Sequence, residues 1–170
     1  MFINKIVSTL STLDSNEVFF GPQGFIISST SVALEEAQKG FSKDADGHSL
    51  SGSNAGDWQS SWFVIARDTE LGDPYFVDTN DHALCVYTAF LGDSGWETES
   101  VTTSLSGFVN CMNILSCCSA QQEAQFVPDE NTIVDELALK DLSEQLSEHA
   151  ENKPFWAMFF RCYQDWLLED

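Results

Sequence analysis

Basic residues are scarce in this chain: seven Lys and Arg stand against 27 Asp and Glu, a formal net charge of −20 over 170 residues. A nucleic-acid partner is not expected, because binding a polyanion draws its free energy from protein cations that displace condensed counterions. Long apolar runs are missing too. No stretch reaches the roughly 18 apolar residues of a membrane span, so no membrane association is expected. The opening MFINKIVSTLSTLDS has neither the continuous apolar core nor the cleavage pattern of an export signal. The three histidines, His48, His82 and His149, lie far apart, and the five cysteines, Cys85, Cys111, Cys117, Cys118 and Cys162, include no CxxC pair. Zinc chemistry is therefore not expected. An odd cysteine count without an export signal predicts free thiols in a reducing cytoplasm. Neither a phosphate-cradling Gly-rich loop nor a dinucleotide fingerprint occurs, so no cofactor is expected.

What the chain does have is apolar bulk: 43% hydrophobic residues, with thirteen Phe and five Trp. That is enough for one domain over residues 1–170 with a core filled by large side chains. Phe2, Ile3, Ile6, Val7, Leu10 and Leu13 recur at helical spacing and predict an amphipathic opening helix docked on that core. Val18 to Phe20 and Phe25 to Ile27, on either side of the turn Gly21-Pro22-Gln23-Gly24, predict a hairpin. Ser31 is placed to cap a helix running to Gly40, with Glu35 and Glu36 near its positive end. Ser42 to Asp57 is rich in Gly, Ser, Asp and Asn and reads as a surface loop. Its Asp44, Asp46 and Gly47 open like a calcium loop. His48 then follows the glycine and no Glu appears before Glu70, so the EF-hand pattern fails.

Trp62 to Ala66, Tyr75 to Val77 and Val86 to Phe90 are runs of β-branched and aromatic residues separated by turn formers, and predict consecutive antiparallel strands. The segment from Gly92 to Ser100 reads as a turn and acidic loop. Val101, Leu105, Phe108, Val109, Met112 and Leu115 then predict a helix capped by Thr102, Thr103 or Ser104. A helical C-terminal part is expected over about residues 129–168. Ile133, Leu137, Leu142 and Leu146 form one stripe, opposite Asp135, Glu136, Asp141, Glu144 and Glu148. Behind Pro154, the second stripe is Trp156, Phe159, Phe160, Tyr163 and Leu167. The fold class is thus α+β, a mostly antiparallel sheet packed with helices, including N-terminal and C-terminal ones.

Gly92-Asp93-Ser94-Gly95 matches the letters around the nucleophile of chymotrypsin-like proteases. A serine nucleophile needs a histidine in hydrogen-bond reach, an orienting Asp and oxyanion donors. His82 is too near Ser94 in sequence to build a barrel between them, and Trp96 stands where those enzymes carry a second glycine. A catalytic Ser94 is the weakest reading. The acidity has two uses still open: solubility, or recognition of a cationic partner whose approach the field would accelerate.

Residues 58 to 110 resemble the SUKH superfamily, named partly for yeast glucan-synthesis regulators. The resemblance rests on an ordered set: Trp62, Asp68, Gly72-Asp73-Pro74, Asp78, Val86-Tyr87, Gly92, Gly95-Trp96, Leu105 and Phe108. Cys85 and Leu91 depart from it, standing where family members often carry Pro and His. The resemblance implies a noncatalytic, SUKH-like single domain. Bacterial members of that family are commonly immunity proteins that bind and neutralise a cognate toxin, often a nuclease; eukaryotic relatives serve as regulatory interaction modules. A cationic toxin would suit this chain's charge. The partner-facing candidates are Asp68, Asp73, Asp78, Asp81, Asp93, Glu97 and Glu99, with Trp96 as either an aromatic anchor or a plug where the helix begins. Trp62, Gly72, Pro74, Tyr87, Gly92, Gly95 and Phe108 are the motif residues expected to act structurally.

Overall fold

The computed structural model describes residues 1–119 and 121–169. Helix α1 (Phe2–Leu10) buries Ile6 and Leu10 as its spacing predicts. Strands β1 (Glu17–Phe20) and β2 (Gln23–Ile27) form the expected hairpin. Its turn is tighter than read from sequence, since Phe20 pairs with Gln23 and only Gly21 and Pro22 lie between the strands.

Helix α2 (Ser31–Ala37) differs from expectation at both ends. Thr30, extended at φ −117° and ψ 158°, is its N-cap and accepts a hydrogen bond from the Ala33 amide. The helix ends at Ala37, so Glu35 and Glu36 fall in its last turn, where they pair with Lys43 and Lys39 rather than with the helix N-terminus.

Strands β3 (Trp62–Asp68), β4 (Pro74–Asp78), β5 (Val86–Gly92) and β6 (Gly95–Thr102) complete a six-stranded antiparallel meander in chain order. The three central strands are those expected. β6 is not: Glu97 pairs with Phe90 and Glu99 with Thr88, so the supposed acidic loop is a strand at the sheet edge. Its polar residues give no alternating apolar signal, because backbone pairing rather than burial holds it. Val101, read as helical, lies within this strand, which ends at Thr102.

Helix α3 (Leu105–Cys118) starts behind Ser104, whose hydroxyl accepts from the Gly107 amide at 3.0 Å. Helix α4 (Glu136–Ala150) begins one turn later than the 133–146 stripe implied, with Asp135 as N-cap. It buries Leu139, Leu142, Leu146 and Ala150, while Leu137 is 66% exposed. Helix α5 (Pro154–Leu167) buries Trp156, Phe159, Phe160, Tyr163 and Trp166. The polar tips of three of these rings bind carbonyls of other segments: Trp156 donates to Val101, Tyr163 to Ile133 and Trp166 to Phe126. Among the described residues no helix is long and apolar enough to cross a membrane.

Strand alternation divides the core in two. Ile65, Tyr75, Val77, Val86 and Val101 face α1, α3, α4 and α5 in the larger cluster. Val64, Phe76 and Ala89 face a second cluster with Phe41 and Trp58, which bracket the Gly/Ser-rich loop and anchor it to the sheet. Trp62, Tyr87 and Trp96 pack against this cluster. Sequence reading did not foresee it, because its loop members are separated by a stretch with almost no apolar residues.

The turn between β5 and β6 shows why Gly95 is a glycine. Asp93 and Ser94 keep negative φ, and the reversal falls on Gly95 at +113°. A Cβ there would also meet the Gly56 carbonyl, against which the turn docks; Trp96 donates its amide to that same carbonyl at 2.8 Å. Gly95→Ala is expected to destabilise the protein by about 1–3 kcal/mol, measured by urea denaturation. A loss below about 0.5 kcal/mol, the usual effect of a neutral surface change, would show that the loop yields freely.

Candidate protein-interaction site

The candidate carboxylates divide according to what already occupies their oxygens. Asp68 organises the β3–β4 turn: Oδ1 accepts from the amides of Glu70, Leu71 and Gly72, and Oδ2 from that of Asp73. Gly72, at φ +75°, reverses the chain, and Pro74 opens β4 opposite Arg67. In the next turn Asp78 accepts from the Asn80 amide, and Asp81 from the amides of Ala83 and Cys85. The Cys85 thiol, with the Cys85 and Ala83 amides, holds the Asp81 carboxyl below its ordinary value of 3.8. These three acids are first of all turn-forming residues, a role visible in the sequence context of Asp78 and Asp81.

Asp93, Glu97 and Glu99 are exposed and make no side-chain hydrogen bond or ion pair among the described residues. The strand separates the two glutamates from Trp96. Glu97 and Glu99 lie opposite Phe90 and Thr88, whereas Trp96 lies opposite Leu91 on the other face of the sheet. There its ring stands 5.3 Å from Trp58 and 5.7 Å from Phe41. The Trp96 ring is thus a half-buried member of the second cluster rather than a plug at the start of α3. It does not form one patch with the two glutamates.

The structure brings together Asp68 and Glu99 instead, with Glu70, which sequence reading did not single out. They line a groove of about 190 Å³ between α5 and the sheet. Phe25, Tyr75, Phe155 and Phe159 supply its apolar walls. Burial, and then the Asp68 charge, push the Glu70 carboxyl above its ordinary value of 4.5 and that of neighbouring Asp73 above 3.8. Tyr75 is 5% exposed, and its phenol is held well above 10 by burial and by Asp68, Asp73, Glu70 and Glu99. Only pairing across β3 to β6 with α5 laid over it assembles this set.

Two other sequence features have definite places. Ser94 sits in the two-residue turn between Gly92 and Gly95, and among the described residues no hydrogen bond joins its hydroxyl to a histidine. Asp44, Asp46 and His48 do converge, with their ligating atoms within 4.8 Å of one another. The Asp44 carboxylate there accepts from the amides of Asp46 and His48 and contacts the His48 ring, so the cluster closes the loop on itself.

No family model matches the chain, and no curated protein or solved structure compared with it matches either.

Proposed function

We propose that this protein is a noncatalytic, immunity-type binding protein of the cytoplasm that neutralises a cationic, nuclease-like protein toxin by covering it with an acidic surface. One observation carries the reading. The acids of the β3–β4 turn and β6, Asp68, Glu70, Asp73, Glu97 and Glu99, have no basic partner among the described residues. The lysine–carboxylate pairs are Lys39–Glu36, Lys43–Glu35 and Lys140–Glu144, all on other elements. Arg67, the basic residue closest to the turn in sequence, instead stacks 4.7 Å over Phe41 and donates to the carbonyls of Ala37 and Lys39. Uncompensated charge on one side of a sheet costs self-repulsion in the free protein and is relieved by a partner of opposite sign. The resemblance to the SUKH superfamily supplies the class of partner.

Capture from the native host followed by mass spectrometry tests the reading, and a toxin with a basic surface is the expected co-purifying protein. A basic protein with no toxin activity would favour the regulatory-module reading instead. Association with the captured partner should slow by roughly tenfold or more between low and physiological ionic strength, because steering by long-range charge is screened over that range. A salt-independent association rate would remove charge from recognition.

The noncatalytic part has its own check. A serine-directed fluorophosphonate is expected to leave the protein unlabelled, and labelling that disappears in Ser94→Ala would replace this reading with a hydrolase.

A further inference from the structure

We infer that the groove between α5 and the sheet is a receptor for one long cationic side chain, arginine or lysine, presented by the partner protein. This deepens, and rests on, the reading of the protein as a binder of a basic partner.

Size is the first reason. Sites for small molecules and cofactors usually enclose roughly 300–1,000 Å³. At about 190 Å³ this groove is on the scale of a single side chain. Its walls are the second reason, since Phe25, Phe155 and Phe159 offer apolar surface to a methylene stem. Arginine and lysine bury such stems while keeping the charged head at a polar rim.

The polar atoms are the third reason, and they point to a ligand independently of the acidic rim. The Tyr75 side chain is 5% exposed, lines the groove, and has no hydrogen-bond partner for its hydroxyl among the described residues. Gln23 donates its amide N–H to the Phe159 carbonyl at 3.1 Å, while its Oε1 is buried and unpartnered. Leaving the buried Gln23 oxygen unpaired costs about 1–3 kcal/mol, and the Tyr75 hydroxyl in the groove wall is free to accept, so an occupant that brings donors is favoured. Glu70 and Glu99, unlike Asp68, have carboxylates with no bound hydrogen among the described residues. An anion would meet three carboxylates. A neutral apolar residue would bury two of them without compensation. A guanidinium or ammonium satisfies the same set with N–H donors and opposite charge.

Methionine methyl NMR gives a direct test, because Met158 lines the groove while Met112 is buried in the core. The probe is the peptide acetyl-Ala-Arg-Ala-amide, with acetyl-Ala-norleucine-Ala-amide as its uncharged counterpart. The arginine peptide is expected to shift the Met158 methyl saturably and leave Met112 in place, and the norleucine peptide to shift neither. Glu70→Gln combined with Glu99→Gln alters exposed residues only and should weaken the arginine peptide by about fivefold, in keeping with two partly screened ion pairs. Tyr75→Phe, which removes a single oxygen, should weaken it as well. An unmoved Met158, an equal shift with norleucine, or unchanged affinity in the Gln double variant would overturn the groove assignment. If the titration fails while a basic toxin still co-purifies and binds with steep salt dependence, the groove alone is wrong. If it succeeds and no basic protein is captured, the proposed function is wrong and the cation groove stands.

Discussion

Trp156→Ala is expected to cost about 3–5 kcal/mol, the range for removing a fully buried large aromatic. Trp156 is 0% exposed, and its ring packs against Phe25, Phe155 and Phe159. Its Nε1 donates to the Val101 carbonyl at 3.0 Å, tying α5 to the end of β6. The substitution leaves a cavity and an unpaired buried carbonyl together. Domains of this kind are stable by about 5–15 kcal/mol, so the variant loses a large share of its stability, and urea denaturation followed by circular dichroism reads the loss. Trp156→Phe separates the two contributions. It keeps most of the ring volume and removes the donor, so the orphaned carbonyl should cost about 1–3 kcal/mol. If the alanine variant fails to accumulate, the phenylalanine variant still gives a number. An alanine loss under about 1 kcal/mol, below what large-to-small core changes cost, would show that α5 is not docked through this ring.

Gln38→Leu carries the second largest expected effect, and here no cavity is involved. Strand β2 pairs with β3 from Asp68 to Ala66, and the Ser28 amide then binds the Ile65 carbonyl. Beyond that point the chain turns away into α2. Val64 is left at 0% exposure with an amide and a carbonyl facing where a neighbouring strand would have continued. The side chain of Gln38 fills that place. Its Oε1 accepts from the Val64 amide at 2.9 Å, and its Nε2 donates to the Val64 carbonyl at 2.9 Å and to the Leu34 carbonyl at 2.7 Å. One primary amide therefore supplies both halves of a missing ladder position.

Leucine has similar bulk and no polar atom, so it orphans both Val64 groups at about 1–3 kcal/mol each. The expected signature has two parts: a lower denaturation midpoint, and faster hydrogen exchange at the Val64 amide, as its protected state opens more easily. An unchanged midpoint with full protection at Val64 would mean that another group takes over the pairing. Asparagine is too short by one methylene to reach both Val64 groups, so Gln38→Asn should resemble leucine rather than wild type.

The two residues differ in how far sequence reading reaches them. Trp156 belongs to an aromatic stripe whose spacing is helical, and a periodic stripe of that size is core wherever the helix lands. Gln38 carries no such signal. A glutamine just past a short helix is ordinary surface composition, and its role depends on β3, 26 residues later in the chain. The same contrast runs through the candidate site. Asp78 and Asp81 sit in a turn-forming stretch whose residue types bond nearby amides, and those bonds are present, whereas the four amides gathered by Asp68 carried no such signal. Glu70 looked like an unremarkable loop acid, and only the approach of α5 makes it part of a groove.

By itself the sequence determined the α+β class, the three central strands, α3 and the aromatic face of α5. Each of these is written in local periodicity, which the backbone geometry of helices and strands enforces wherever the segment packs. Tertiary structure alone decided the rest. Polar β6 became a strand because β5 offered an unpaired backbone edge, and packing of α4 against α3 and α5 turned Leu139 inward and left Leu137 outward. Trp96 and Glu99, close in sequence, went to opposite faces of the sheet, since successive side chains of a strand must alternate. The acidity was legible from composition; which acids remain uncompensated, and which of them surround Tyr75, depended on contacts between residues far apart in the chain.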